Sequence, residues 1–202
     1  HFSSLQKLSI YAGIINNTFF KNYYNFDLEQ WDLQKNESET YYQFIQRINN
    51  SDIQLTKNSA SWDLSIEGVQ EFNTLYKSNQ STYYFSYSTS STILKPNSPQ
   101  HIPNSKMSYA LRPTAKLIGD DMNLLDSLWN ENDGICNTIS MDGPHNAQII
   151  KYDGIPKKGV WQTMNKIPMD HQAVIGHLAS EKELNNIYAI YNNHLRMLSR
   201  LK

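Results

Sequence analysis

The chain has a single cysteine, Cys136, so no internal disulfide can form. It also lacks any apolar run near the roughly 20 residues that a membrane-spanning helix needs, and no leader of the signal-peptide kind is visible. An excess of one charge sign is missing too. Eighteen Lys and Arg face 19 Asp and Glu, and a net charge of −1 leaves no basic footprint for nucleic acid or an anionic membrane. The start at His1, without a Met, reads as a processed or cut end. Nowhere in the 202 residues is there a Gly-x-Ser-x-Gly elbow of the kind that presents a nucleophilic serine. What remains is 39% hydrophobic and 18% charged, a composition able to bury a core as one domain. Glycosylation sequons at Asn16, Asn36, Asn49 and Asn79 are near chance in a chain this rich in Asn, Ser and Thr.

Helical spacing dominates the first part. Phe2, Leu5, Leu8, Ala12, Ile15 and Phe19 predict an amphipathic helix from residue 2 to about 17. Ser38 is a candidate cap for a second helix with Tyr41, Phe44, Ile45 and Ile48 on one face, stopped at Asn49-Asn50-Ser51-Asp52. A third helix is predicted from Ser65, with Ile66, Val69, Phe72 and Tyr76 inward. Extended structure follows. Thr82 to Ser88 reads as a strand, Gln148 to Tyr152 and Gly159 to Gln162 as shorter ones, and Ser90 to Ser108, with three prolines, as a loop. The last helix opens on Ser180-Glu181-Lys182-Glu183, a capping box. Its expected apolar stripe is Leu184, Ile187, Tyr188, Tyr191, Leu195 and Leu198. Strands mixed with helices point to an α/β sheet fold. Residues 1–80 read mainly as inserted helices, including a lid-like one. Residues 81–202 read as strands, two loops that carry chemistry, and the closing helix.

Those two loops hold Asp133, in Trp129-Asn130-Glu131-Asn132-Asp133-Gly134, and His171, in Met169-Asp170-His171. Alone, Asn-Asp-Gly is most often a turn, and a lone histidine is most often a surface or satisfied core residue. Together, and in this order, they match the acid and the base of a hydrolytic triad, whose members run Ser, Asp, His in α/β hydrolases. The carboxylate would accept the imidazole Nδ1–H and fix the tautomer that leaves Nε2 free. Asp170 beside the histidine reads as a cap. His171 and His177 lack the helical spacing of a zinc pair, and His145 has no nearby partner, so no histidine metal site is expected from this chain alone. Cys136, between Ile135 and Asn137, reads as a structural thiol rather than a nucleophile.

Several long stretches carry a resemblance. Trp129 to Pro144, Tyr152 to Trp161, and Met169-Asp170-His171 with Val174-Ile175-Gly176 are similar to segments of the thermoalkalophilic, zinc-binding lipases of Gram-positive bacteria, the staphylococcal lipases among them. Phe26 to Leu33 resembles that family's Leu-Asp-Gln-Trp-Gly-Leu segment, and the match continues through Tyr41 to Ile48 and Trp62 to Ser65. Residues 1 to 17 resemble its lid helix. The similarity spans almost the whole chain in one order, weakest from Lys95 to Lys106.

The resemblance implies the C-terminal half of an α/β-hydrolase fold and a secreted lipase that hydrolyses acylglycerols at an oil–water interface. Asp133 and His171 would be its catalytic acid and base. The nucleophilic Ser would belong to an N-terminal portion upstream of this chain. Departures matter as well. The family draws acidic calcium ligands from positions just after the histidine. Gln172, Ala173, His177 and Leu178 stand there, so calcium binding is expected to be lost. Glu29 stands where the family has the Asp zinc ligand, so zinc is an open expectation. Asp32 replaces the Gly after the Trp. Two rival readings stay open: a lipase-like structural or binding subunit without catalysis, and a phospholipase or thioesterase on the same scaffold.

Overall fold

The computed structural model describes residues 32–51, 57, 60–63, 65–120 and 127–201. The predicted helix at residues 2 to 17 and Glu29 lie outside these described residues. Two compact units divide the chain, His1–Phe72 and Asn73–Lys202.

In the first unit, helix α1 spans Tyr41–Asn49. Its cap is Thr40, not Ser38. Gln43 N–H donates to Thr40 Oγ1 at 3.3 Å, and Thr40 N–H donates to Gln43 Oε1 at 2.9 Å. The correction has a simple cause. A reciprocal cap needs Glu or Gln three residues on; Thr40 has Gln43, whereas Ser38 has Tyr41. Arg47, in the last turn, pairs with Glu39 at 2.9 Å and donates to the Asp32 and Gln34 carbonyls, tying the entering chain to the helix. Asp32 sits at φ +54, a left-handed conformation in which Asp is tolerated and Gly is favoured. That accounts for a Gly at this position in the segment it resembles.

A single turn, α2 (Ala60–Asp63), precedes α3 (Ile66–Leu75), which runs across the boundary between the units. Ser65 caps α3: its Oγ accepts from Gly68 N–H at 3.0 Å. The inward face expected for α3 is corrected. Val69, Phe72 and Tyr76 are exposed. Helical periodicity marks a face but does not say that its cover lies within the chain.

The second unit is built on a parallel three-stranded sheet of order β1-β5-β4, from β1 (Tyr84–Ser86), β4 (Ile149–Lys151) and β5 (Trp161–Thr163). Phe85 aligns with Gln162, and Ile150 aligns with Gln162 from the other side. Gln162 is fully buried. Its amide accepts from Lys157 N–H and donates to Lys157 O, so the central strand's buried polar side chain is satisfied by its own loop. Pairing between β1 and β5 outlasts the strands. Met164 N–H donates to Ser86 O, Ile167 N–H to Ser88 O, and Ser90 N–H to Ile167 O.

The stretch from Ser90 to Ser108, expected as a loop, contains a hairpin instead: β2 (Thr92–Leu94) antiparallel to β3 (His101–Pro103). Three-residue strands are too short to show alternation, and the prolines fall in the turn and at the strand end. Helix α4 (Arg112–Gly119) packs on β3, with Pro113 in its first turn. Gly119 is required there, because a Cβ would lie 2.0 Å from His101 O. Met107, Leu111 and Ala115 form the small core beside it.

Helix α5 (Glu181–Leu198) starts on the predicted capping box: Ser180 N–H donates to Glu183 Oε2 at 2.8 Å and Glu183 N–H to Ser180 Oγ at 3.4 Å. Its apolar stripe needs correction. Ile187 is buried, but Tyr188, Tyr191, Leu195 and Leu198 are exposed, and the packed side is Leu184, Ile187, Ile190, His194 and Met197. Ile187 joins Ile167, Met169 and Ala173 in a second core cluster. Among the described residues, no helix is long and apolar enough to cross a membrane.

Candidate active site

Parallel strands send their C-terminal ends to one edge of a sheet, which is where α/β folds gather chemistry. Here the chain leaving β1 passes through Thr89, and the chain leaving β5 passes through Ile167 to His171. The Asp133 loop is fastened between them. Ser91 N–H donates to Asn132 O at 3.0 Å, and Thr92 Oγ1 accepts from Asn132 N–H at 3.1 Å. Asn132 is fully buried. Its amide donates to Ala115 O and Asn130 O, and its Oδ1 accepts from Gly134 N–H. Gly134 has φ +104, and a Cβ there would meet Leu111 Cβ at 2.8 Å, so the turn admits glycine only.

The two oxygens of Asp133 do different work. Oδ1 accepts from the backbone N–H groups of Ile135 (3.0 Å) and Cys136 (2.8 Å), the hydrogen bonds of an Asx turn. Oδ2 accepts from Thr89 Oγ1 at 2.7 Å and lies 3.0 Å from His171 Nδ1. The turn contacts and the contact to the imidazole therefore use different oxygens of one side chain. His171 N–H also donates to Asp133 O at 3.0 Å, so backbone and side chain are both paired. The carboxylate is 1% exposed and the imidazole 46%. With Nδ1–H donated to Oδ2, the other ring nitrogen, Nε2, is left as an acceptor.

His171 is held by what flanks it. Met169 and Ala173 are buried in the core cluster with Ile187. Asp170 is buried and turns its carboxylate to backbone: Oδ1 accepts from Gln172 and Ala173 N–H, and Oδ2 from Ser108 N–H. It acts as the cap expected of it. Gly176, at φ +84, closes the short 3-10 turn Ala173–Ile175.

Two residues before Asp133, Glu131 pairs with Lys166 at 2.5 Å. Burial pushes the Glu131 carboxyl up, but hydrogen bonds from Lys166 and Ser90 outweigh it and the group stays below the usual range. Thr138 Oγ1 donates to Thr89 O at 2.8 Å, holding the backbone of the residue whose hydroxyl reaches Asp133.

Two further neighbours of Asp133 are Thr89, which sequence reasoning missed, and Cys136, which it reads as a structural thiol. Thr89 lies one residue past the predicted strand, a position that could have flagged it. Cys136 is brought beside the pair by the Asx turn. Its thiol is pushed up to about 11 by burial and by the Asp133 carboxylate, so at neutral pH it is a protonated thiol. The residues after the histidine do not fit calcium. Gln172 Oε1 is a buried oxygen with no hydrogen-bond partner among the described residues, but it is neutral, and the Asp170 carboxylate is already taken by three N–H groups. Glu29, the expected zinc ligand, lies outside the described residues.

Comparison with known proteins agrees with this architecture. The chain is similar to Lipase 1 of Staphylococcus aureus, 29% identical over 158 residues that make up 78% of this chain and 23% of that protein. Among solved structures, EstA from Clostridium botulinum matches with a TM-score of 0.64 and 35% identity over 83% of this chain and 42% of that one. Lipase 1 from Pelosinus fermentans matches with a TM-score of 0.67 and 29% identity over 100% of this chain and 54% of that one. The chain thus spans about a quarter of the curated relative and about half of these solved chains. A family model for the lipase-like C-terminal domain matches residues 11–198, and the chain belongs to that family.

Proposed function

We propose that this chain is the C-terminal half of an α/β-hydrolase-fold lipase that cleaves the carboxylic ester bonds of acylglycerols, and that Asp133 and His171 are its catalytic acid and base. The supporting observation is the 3.0 Å contact between Asp133 Oδ2 and His171 Nδ1, with the acid buried and the imidazole open to solvent. In this scheme the nucleophilic Ser and the oxyanion donors come from an N-terminal portion. His171 Nε2 takes the Ser proton as the hydroxyl attacks the ester carbonyl, then returns it to the leaving alcohol. Asp133 keeps the proton on Nδ1 and stabilises the imidazolium formed in between. Secretion and action at a lipid–water interface, and zinc held partly by Glu29, belong to the same reading.

The test is ester hydrolysis by the full-length protein. His171→Ala is expected to lower kcat at least about 10³-fold, with little change in melting temperature. Undiminished hydrolysis in that variant would sink the proposal.

A further inference from the structure

One side chain beside Asp133 and His171 has no part in that scheme. One ligand atom each from Asp133, Cys136 and His171 lies within 4.8 Å of the others. Among the described residues no other trio of His, Cys, Asp and Glu comes so close together. A carboxylate, a thiol and an imidazole are three of the ligand types that bind zinc, at about 2.0–2.3 Å. Around a tetrahedral ion such atoms stand about 3.3–3.8 Å apart. Asp133 Oδ2 and His171 Nδ1 are already nearer than that, at 3.0 Å, and the 4.8 Å within which the trio lies exceeds the widest of these spacings by about 1 Å. The trio leaves the fourth position open to water, and the imidazole is open to solvent. Hard cations prefer an all-oxygen shell, so the sulfur selects a softer one.

We propose that Asp133, Cys136 and His171 bind a thiophilic divalent cation, zinc or cadmium, and that its occupation switches the imidazole off as a base. The site shares no residue with Glu29. It also reverses the expectation that this chain alone builds no histidine metal site, because a carboxylate and a thiol on another loop supply what histidine spacing lacked.

A cation bridging Oδ2 and Nδ1 takes the place of the Nδ1–H proton. That proton is re-bound at Nε2 through solvent, the Cys136 S–H proton is released, and one proton leaves per cation bound. The imidazole is then the Nε2–H tautomer, with no lone pair to accept a proton from serine. Binding needs only the three side chains; the loss of activity rests on the hydrolase reading above.

Cadmium chloride titrated into the full-length protein, followed by the ultraviolet thiolate-to-cadmium charge-transfer band, tests the site. The wild type is expected to gain one thiolate's worth of absorbance over both Cys136→Ser and Cys136→Ala. His171→Gln, which keeps the thiol, is expected to bind at least tenfold more weakly. Equal spectra for wild type and the Cys136 variants overturn the proposal. So does unweakened binding in His171→Gln, which would mean an adventitious thiolate only. Should these variants fail to fold, X-ray absorption of the cadmium-loaded wild type decides: sulfur with imidazole in the shell supports the site, and oxygen alone overturns it. Zinc is also expected to inhibit ester hydrolysis, with an inhibition constant at least tenfold weaker in Cys136→Ser relative to that variant's own uninhibited rate. Activity that survives His171→Ala defeats the hydrolase reading but leaves the spectral result standing, so the two failures are distinguishable.

Discussion

Replacing Asp133 by Asn and by Ala separates its two duties. In Asp133→Asn the amide oxygen can keep the Oδ1 position and still accept from Ile135 and Cys136 N–H, so the Asx turn survives. The amide NH₂ then occupies the Oδ2 position and donates where a carboxylate accepted. Thr89 Oγ1 can turn to Met141 Sδ, 3.2 Å away. His171 Nδ1 becomes an acceptor, which moves its proton to Nε2 and removes the base. Stability should fall by only about 1 kcal/mol, one exchanged hydrogen bond. Activity should fall about 10³–10⁴-fold, the effect of a wrong tautomer. Asp133→Ala removes all four contacts. Two backbone N–H groups at 2.8 and 3.0 Å lose their acceptor, at about 1–3 kcal/mol each when buried. A loss of about 2–6 kcal/mol is therefore expected, enough at its upper end to unfold a marginal domain. The assay is hydrolysis of a short p-nitrophenyl ester by the full-length protein, paired with thermal unfolding. An Asn variant that folds and keeps activity within tenfold of wild type refutes the argument, since the turn alone would then account for Asp133.

Thr89→Val removes the hydroxyl that donates to Asp133 Oδ2 at 2.7 Å; steady-state kinetics should show kcat down about tenfold with KM little changed, as for loss of one hydrogen bond to a charged group. Gly134→Ala places a methyl 2.8 Å from Leu111 Cβ at φ +104, and denaturant unfolding should show a loss of about 2–4 kcal/mol. Cys136, with its thiol at about 11 against an ordinary 9.0, carries roughly 100-fold less thiolate at pH 8, so iodoacetamide labelling should be slower than for an exposed thiol by about that factor. The sign is fixed: an acid held protonated by burial labels faster as pH rises toward 11. The 202-residue chain expressed by itself, with Tyr188, Tyr191, Leu195 and Leu198 exposed along α5, is expected to aggregate, and light scattering with a melt checks it; a cooperative monomeric transition contradicts this.

What was legible in the sequence was local chemistry. The Ser180–Glu183 cap needs only residues three apart, and it stands where the pattern put it. Thr82 to Ser88 is dense in aromatics and hydroxyl residues, and three of its residues form β1. Asn132-Asp133-Gly134 is a turn, as those residue types read, with Gly134 at φ +104. What was illegible depended on partners distant in sequence. The β2–β3 hairpin rests on Lys95 N–H reaching Gln100 O across a turn with Asn97 at φ +56, and on Asn132, some forty residues on, which pairs with Thr92. The exposed face of α3 is predicted inward, and the stripe of α5 is predicted with no indication of what covers it, because spacing reveals amphipathicity, not the location of its cover.

The candidate site shows the same limit at closer range. Asp133 could be noticed because an Asp and a later His stand in the order of a hydrolase's acid and base, but nothing in Asn-Asp-Gly says which oxygen serves the turn and which faces the imidazole. That division follows from where β1 ends. Thr89 lies just beyond Ser86, paired in parallel toward Ile167, and this places its hydroxyl on Oδ2 rather than Oδ1. With Oδ1 committed to two N–H groups of its own loop, the carboxylate cannot rotate without breaking them, so Oδ2 stays aimed at His171. A rigid turn is thus what keeps the carboxylate directional. It also means that lengthening the loop between Asp133 and Cys136 by one residue should cost activity even with both site residues intact, because the oxygen that faces the imidazole would no longer be fixed.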